Sequence, residues 1–163
     1  MIKISVCDDD EGQLTFFKQC FMEYNEKHKE KIEANFYQSV QSLLNEKKFS
    51  PDVYFLDIEL QDGNGLKLAG KIRTRNSKIP IVFITSHEEF MPEAFHVHAY
   101  QYLNEKKNAQ AVENVLNQLA DYFSEQNQIF SFQTYGEMIS LDCRDIICFT
   151  SEKRKNIVIA ESG

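Results

Sequence analysis

Apolar residues along this chain fall into two alternating patterns, short continuous runs and longer stripes at helical spacing. Short segments of strand character lie at residues 3–7, 32–37, 53–56, 81–84 and 99–103, and the first, third and fourth of them read as continuous apolar runs. Stripes at spacings of three and four follow them, and the first contains Leu14, Phe17, Phe21 and Tyr24. Continuous runs are typical of parallel strands buried on both faces, and the stripes are typical of helices packed on a sheet. The alternation therefore predicts an α/β fold with a doubly wound, five-stranded parallel sheet.

The pattern changes after residue 124. A polar stretch is followed by short apolar segments separated by turn residues, at 129–132, 138–141, 146–149 and 157–160. This spacing predicts antiparallel strands. The segment is too short to bury a good core alone, so we expect the chain to stop inside a second domain. The predicted organisation is a domain at 1–124, a linker at 125–128 and an incomplete all-β segment at 129–163.

Polar side chains follow three of the predicted strands directly. Asp8 and Asp9 come after the first run, Asp57 after the third and Thr85 after the fourth. The carboxyl ends of parallel strands share one edge of a sheet, where open α/β folds bind ligands. These four residues are therefore candidates for one site, with Gly65 helping to turn the chain beyond it. The alternative for Asp57 is that it caps the next helix or turn.

Three carboxylates at one edge would repel one another and raise one another's pKa unless a cation lay among them. Their hard oxygen atoms favour Mg²⁺ over zinc or copper. A bound Mg²⁺ would keep Asp57 ionised as a nucleophile and would neutralise charge on an incoming phosphoryl group. The hydroxyl of Thr85 could then hydrogen-bond a phosphoryl oxygen.

Composition narrows the classes of function. A net charge of -7 argues against a surface that attracts nucleic acid broadly. The sequence has no apolar run long enough to span a membrane and no signal-peptide pattern at its start, so we expect a cytoplasmic protein. The cysteines lack C-x-x-C spacing, and we expect buried, reduced thiols rather than disulfides or zinc ligands at Cys7, Cys20, Cys143 and Cys148.

A set of motifs stands in the order and spacing of a known family: VCDDD, YFLDIEL, GNGLKLAGKIR, IVFITS and AYQYL. With them, residues 1–124 resemble the receiver domain of a two-component response regulator, which has a flavodoxin-like fold. The resemblance implies that Asp57 accepts a phosphoryl group from a sensor histidine kinase. It implies that Mg²⁺ is bound by Asp57, by Asp9 directly, by Asp8 through water and by the main-chain carbonyl of Glu59.

The same resemblance implies a switch. The Thr85 hydroxyl would move toward the phosphoryl group, and the Tyr102 ring would rotate inward. Such a receiver assists its own phosphoryl transfer but turns over no external substrate, so we do not expect an enzyme. An aspartyl-phosphate phosphohydrolase is the less favoured alternative, since those enzymes usually carry an aspartate two residues after the nucleophile, where this chain has Glu59.

The tail, IFSFQTYGEMISLDCRDIICF, resembles the opening of a LytTR DNA-binding domain. The whole chain then resembles a LytTR-type regulator of transcription of the kind used in peptide-pheromone control. Such domains contact DNA mainly through later loops, so we expect DNA binding only from a complete C-terminal domain, which this chain lacks.

One position departs from the receiver pattern. Receivers usually carry a lysine three residues after the switch aromatic, and an ungapped match places Glu105 there. We expect Lys106 to pair with the phosphoryl group, because a glutamate facing a phosphate would be costly. The alternatives are that Lys106 and Lys107 are both solvated, or that the chain is a pseudo-receiver, an interaction scaffold that is not phosphorylated.

Two weaker signals lie between the fourth and fifth runs. We find no acidic or thiol partner at suitable spacing for His87, His96 or His98, and expect surface or interface roles rather than metal binding. The short helix predicted at 88–97 carries Pro92, which we expect in its first turn. Its apolar side chains either pack on the sheet, as we expect for Phe95, or form a phosphorylation-dependent homodimer face from Phe90, Met91, Phe95 and Val97.

Overall fold

The computed structural model describes residues 1–48, 50–104, 107–126, 129–134, 137–142, 146–152 and 155–160. The chain divides into two compact units, Met1–Leu116 and Asn117–Gly163, and each is described by itself. Within the described part of the chain, no helix combines the length and the apolar character needed to cross a membrane.

The first unit alternates strands and helices. In chain order its elements are β1 (Ile2–Cys7), α1 (Glu11–Lys27), β2 (Ile32–Tyr37), α2 (Val40–Asn45), β3 (Val53–Leu56), β4 (Glu59–Leu60), β5 (Gly63–Asn64), α3 (Gly65–Arg75), β6 (Ile81–Ile84), a 3-10 helix (Glu88–Phe90), α4 (Met91–His96), β7 (Gln101–Leu103) and α5 (Ala109–Gln126), which runs on into the second unit. The five predicted strands and the helices between them are all present.

Five strands form one parallel sheet in the order β2-β1-β3-β6-β7. Residue Val6 is paired with Phe55 between β1 and β3, and Leu56 is paired with Phe83 between β3 and β6. The order reverses direction at β1 and β3, which is the crevice where open α/β sheets bind ligands. The predicted doubly wound, flavodoxin-like fold is confirmed.

Apolar side chains cover both faces of this sheet. On one face, α1 packs the rings of Phe17 and Phe21 against Phe55, with both centroid distances at 5.9 Å. On the other, Leu68 of α3 belongs to a buried cluster with Phe83. Strands β3 and β6 are almost entirely buried. Burial on both faces explains why these strands read as continuous apolar runs.

Two expectations about side-chain burial are wrong. Phe95 is 80% exposed, because the short helix α4 buries Ala94 instead and turns the Phe95 ring to solvent.

The cysteines are not uniformly buried: Cys7 is buried, Cys20 is half-buried and Cys148 is exposed, and none of these is in a disulfide. Cys143 lies outside the described residues. Pro92 lies in the first turn of α4, as expected.

The second unit contains antiparallel strands, as predicted. They are β8 (Ile129–Thr134), β9 (Glu137–Asp142), β10 (Ile146–Glu152) and β11 (Lys155–Ala160). β8 pairs with β9, and β10 pairs with β11 across a register shift after Ile146. Helix α5 extends to Gln126, so the first half of the predicted linker is helical, and the other half lies outside the described residues. The domain boundaries at 124 and 128 stay predictions.

Candidate functional site

The three carboxylates predicted to share a site lie together. β1 ends at Cys7, the adjacent β3 ends at Leu56, and the amide of Asp57 donates to the Cys7 carbonyl at 2.8 Å. Asp8 and Asp57 therefore leave the sheet side by side. One carboxylate oxygen from each of Asp8, Asp9 and Asp57 lies within 4.8 Å of the others. Their convergence follows from the parallel register of two neighbouring strands.

Main-chain amides orient each carboxylate. Asp8 Oδ1 accepts from the amide of Asp10 at 2.9 Å, and Asp57 Oδ1 accepts from the next amide in the chain at 2.8 Å. Asp9 Oδ2 accepts from the amide of Gln61 at 3.0 Å. Asp8 and Asp57 are buried, whereas Asp9 is half-buried. Asp9 thereby connects the end of β1 to the loop that follows β3.

The donor set at this edge fits a hard divalent cation. Two of the three carboxylates are buried, and gathering their charges costs free energy unless a cation balances them. Asp9, Asp57 and Glu59 also line one open cleft, which gives an ion access from solvent. Carboxylate and carbonyl oxygens are the ligands that Mg²⁺ accepts. The carboxylates of Asp8, Asp9 and Asp57 would hold such an ion.

Burial and the nearby carboxylates both raise the pKa of the Cys7 thiol. Burial raises the pKa of Cys7 to about 12, with further increases from the negative charges of Asp62, Asp8, Asp57 and Asp9. A thiol with that pKa keeps its proton at neutral pH.

Close packing fixes the backbone of the β3–α3 loop, residues 57–64. The short strands β4 and β5 pair with each other inside it. The amide of Gly65 donates to the Ile58 carbonyl at 2.8 Å, and a Cβ atom on Gly65 would lie 2.0 Å from the carbonyl oxygen of Asp57. Real Cβ atoms do not come so close to backbone, so only glycine lets α3 begin against Asp57. The sequence indicated a turn here but not this contact.

Asp62 joins the β3–α3 loop to α2. Its carboxylate accepts from the amides of Val40 at 2.9 Å and Gln41 at 3.0 Å, at the start of that helix. These hydrogen bonds, the one from Gln41 first, lower the pKa of Asp62. The partners are 22 residues apart for Val40. No local pattern in the sequence indicates this contact.

The predicted switch residues lie at two neighbouring strands of the sheet: Thr85 directly follows β6, and Tyr102 lies on β7. Thr85 is fully buried after β6, and its amide donates to the Leu103 carbonyl at 3.0 Å. Its Oγ1 atom accepts from the amide of His87 at 3.3 Å. Tyr102 is half-buried on β7, and its hydroxyl donates to the main-chain carbonyl of the same His87. Both switch side chains therefore contact the β6–α4 loop, residues 85–90.

His87 lies at the surface, as expected, and has two acidic partners that its sequence spacing did not indicate. Its Nε2 atom lies 3.1 Å from Glu59 Oε2, and its Nδ1 atom lies 3.0 Å from Glu89 Oε1. The pKa of Glu89 is lowered, first by its own backbone amide and then by the hydrogen bond to His87. Glu59 is 28 positions away in sequence, so only the fold brings the pair together. His87 thus joins the β6–α4 loop to the β3–α3 loop.

Of the candidate lysines, the structure describes Lys107. A Cβ atom on Gly12 would lie 3.9 Å from Lys107 Nζ and 3.0 Å from Asp10 Oδ1. The Lys107 ammonium group is therefore near the start of α1, at the carboxyl edge of the sheet. Glu105 and Lys106, on which the departure from the receiver pattern rests, lie outside the described residues.

Comparisons with known proteins agree with this arrangement. The family model described as response regulator receiver domain matches residues 4–117. A response regulatory protein of Yersinia pestis is 29% identical over 120 residues, covering 74% of this chain and 49% of that protein. The sensory transduction protein LytR of Staphylococcus haemolyticus is 32% identical over 111 residues, covering 68% of this chain and 42% of that protein. The chain spans less than half the length of these two relatives.

Solved structures show the same fold. The response regulatory domain of protein mrkE from Klebsiella pneumoniae has a TM-score of 0.66 and 24% identity, covering 77% of this chain and all of that one. The response regulator TrrA from Thermotoga maritima, solved in complex with Mg²⁺ and BeF, has a TM-score of 0.63 and 22% identity, covering 73% of this chain and 99% of that one.

The parallel sheet, the acidic edge and the family match over residues 4–117 lead to one conclusion. This chain belongs to the response regulator receiver family, whose members are signalling domains rather than dedicated enzymes.

Proposed function

We propose that this protein is a phospho-accepting switch in which Asp57 receives a phosphoryl group from a histidine kinase. The observation that carries the proposal is the convergence of Asp8, Asp9 and Asp57 within 4.8 Å at the carboxyl edge of the sheet. Such a cluster of like charges is what a site for a divalent cation and a phosphoryl group requires. The protein TrrA, which shares the fold, was solved with Mg²⁺ and BeF, and this supports magnesium as the ion.

In the proposed transfer, a carboxylate oxygen of Asp57 bonds to phosphorus while the bond from phosphorus to the donor imidazole nitrogen breaks. The imidazole leaves with the electron pair and takes up a proton. A bound Mg²⁺ would supply positive charge against the phosphoryl oxygens. Asp9 and Asp57 would hold that ion directly and Asp8 through water, and the main-chain carbonyl of Glu59, which lines the same cleft as Asp9 and Asp57, would complete the set.

The buried hydroxyl of Thr85 then has a new acceptor. It now accepts from the amide of His87 and would donate to a phosphoryl oxygen on Asp57. Because Tyr102 also bonds to His87, a movement of Thr85 is passed to the Tyr102 ring. Phosphorylation would in this way shift the population of two arrangements of one loop.

We propose further that the output is control of transcription. The support is that the receiver is followed along the chain by the antiparallel strand pairs β8–β9 and β10–β11, together with similarity to a relative named LytR. DNA contact would come from a complete LytTR domain.

Labelling by a small phosphodonor tests the central proposal. Phosphoramidate with Mg²⁺ should add one phosphoryl group per chain, measured by intact mass spectrometry, and Asp57→Asn should abolish it. Asp121→Asn, which changes an exposed carboxylate on α5, is the matched control and should label like wild type. Absence of labelling in wild type would favour the pseudo-receiver, and continuous release of phosphate would favour a phosphohydrolase.

The lysine that pairs with the phosphoryl group can be assigned in the same assay. We expect Lys106→Ala to reduce labelling much more than Lys107→Ala. Equal labelling of the two variants would reject this assignment. A larger loss in Lys107→Ala would instead assign the role to the ammonium group beside Gly12 and Asp10.

A further inference from the structure

His87 is the residue at which the two functional loops meet. Its imidazole contacts Glu59 of the β3–α3 loop at 3.1 Å and Glu89 of its own loop at 3.0 Å. Its main-chain amide and carbonyl contact the two switch residues, Thr85 and Tyr102. Side-chain and main-chain atoms of one residue therefore connect the acidic site to the switch.

The two kinds of contact have different roles. The main-chain carbonyl of His87 is the acceptor that keeps the Tyr102 hydroxyl in its half-buried position. The imidazole takes no direct part in that hydrogen bond, and its own contacts are with Glu59 and Glu89. Glu59 is part of strand β4, which pairs with β5, so this contact joins the β6–α4 loop to a hydrogen-bonded strand pair.

The contacts of the imidazole are with exposed partners. The exposed fractions are 40% for the side chain of His87, 57% for Glu59 and 65% for Glu89. Exposed polar contacts of this kind are individually weak and exchange readily with water. Two together can bias an arrangement of the loop without locking it, which suits a residue that must release during switching.

From these contacts we propose that His87 is a positioning residue: its bridge to Glu59 and Glu89 holds the β6–α4 loop so that Tyr102 is turned inward before any phosphoryl group arrives. The unphosphorylated protein then already populates the arrangement that phosphorylation is proposed to favour. The functional meaning of this bias rests on the proposed function, whereas the position of Tyr102 does not.

Replacement of the side chain alone tests the bridge. His87→Ala removes both imidazole contacts and keeps the main-chain carbonyl that accepts from Tyr102. Fluorine NMR of protein containing 3-fluorotyrosine reports the environment of the ring, and Tyr102→Phe assigns its signal. The measurement uses unphosphorylated full chain without Mg²⁺, and a soluble gadolinium chelate broadens the signals of exposed rings.

In wild type we expect the Tyr102 signal to be protected from the chelate. In His87→Ala the broadening should increase by roughly threefold or more, as expected when two weak contacts that bias a two-state equilibrium are lost. Glu89→Ala should give a smaller increase. His96→Ala, a histidine on α4 whose ring contacts the Pro92 carbonyl, is the control and should match wild type. Circular dichroism confirms that each variant is folded.

Equal protection of Tyr102 in wild type and His87→Ala would overturn the proposal, as would an exposed Tyr102 ring in wild type. Phosphoramidate labelling of the same samples separates this outcome from a failure of the proposed function. Protected Tyr102 with no labelling would leave the bridge intact and reject phosphorylation. Normal labelling with an exposed Tyr102 ring would reject the bridge and leave phosphorylation of the protein supported.

Discussion

The two loops at the carboxyl edge of the sheet are held in different ways. The β3–α3 loop, with Asp57, is fixed by main-chain hydrogen bonds, by a strand pair and by the contact of Gly65 with the Asp57 carbonyl. The β6–α4 loop also has main-chain hydrogen bonds, at Thr85 and Phe90, but its contact with the β3–α3 loop is made by the exposed side chains of His87 and Glu59. The Tyr102 hydroxyl adds a further contact, to the His87 carbonyl. Under the proposed function, the β3–α3 loop keeps its geometry and the β6–α4 loop changes its own.

This difference suits a switch. Phosphoryl transfer requires carboxylates that stay in place, because misplaced groups lose most of their effect. The response requires a segment with two arrangements close in free energy, and weak exposed contacts allow that. The comparison predicts that substitutions in the β3–α3 loop cost more stability than equivalent substitutions in the β6–α4 loop.

The largest expected effect is at Gly65. Gly65→Ala places a Cβ atom 2.0 Å from the Asp57 carbonyl oxygen, so the backbone must shift. We expect a loss of about 2–4 kcal/mol in the free energy of unfolding, measured by urea denaturation, together with reduced labelling of Asp57.

Gly70, on the same helix, is the matched control. No atom lies within 4 Å of a Cβ placed there, so Gly70→Ala should leave stability unchanged or raise it by about 0.5–1 kcal/mol through helix propensity. Equal losses in both variants would show that the contact with Asp57 is not what requires glycine at 65.

A smaller effect is expected at Asn64. Its side-chain oxygen caps α3 by accepting from the amides of Leu66 at 2.9 Å and Lys67 at 3.2 Å. Asn64→Ala should cost about 1 kcal/mol, the usual cost of losing such a cap.

His87→Ala, which removes exposed contacts from the β6–α4 loop, should change stability by less than about 0.5 kcal/mol. If His87→Ala lowered the free energy of unfolding more than Asn64→Ala in urea denaturation, the proposed difference between the two loops would be contradicted.

The smallest expected effect is a dependence on pH at Asp62. Hydrogen bonds lower its pKa in the folded protein below the ordinary value of 3.8, so the ionised carboxylate favours folding. This contribution is present at neutral pH and is lost as the pH falls through 3.8 toward the lower folded pKa. Wild type should therefore be more stable than Asp62→Asn at pH 6, and the difference should shrink at pH 3. A constant difference across this range, measured by urea denaturation, would contradict the assignment.

Much of the fold followed from hydrophobic pattern alone. Val53–Leu56 and Ile81–Ile84 lie where continuous apolar runs predicted strands, because strands buried on both faces leave a strong signal. The meeting of Asp8 and Asp57 followed from topology, since adjacent parallel strands end at one edge. Strands β4 and β5 were missed because two residues are too few to show a period.

What the sequence did not reveal depends on three-dimensional packing. The contact between Glu59 and His87 links residues far apart in the chain. The exposure of Phe95 was also missed, because a helix of six residues has too few apolar positions to define its buried face. The glycine requirement at Gly65 depends on the path of the backbone at Asp57, which no local motif specifies.

The most direct test of the account is to locate the phosphoryl group chemically. Wild-type protein labelled with phosphoramidate and Mg²⁺ would be treated with borohydride, which reduces an aspartyl phosphate to homoserine, and then mapped by peptide mass spectrometry. The account predicts homoserine at position 57 and unchanged aspartate at Asp8 and Asp9. Homoserine at either of those two positions, or none at position 57 in labelled protein, would contradict it.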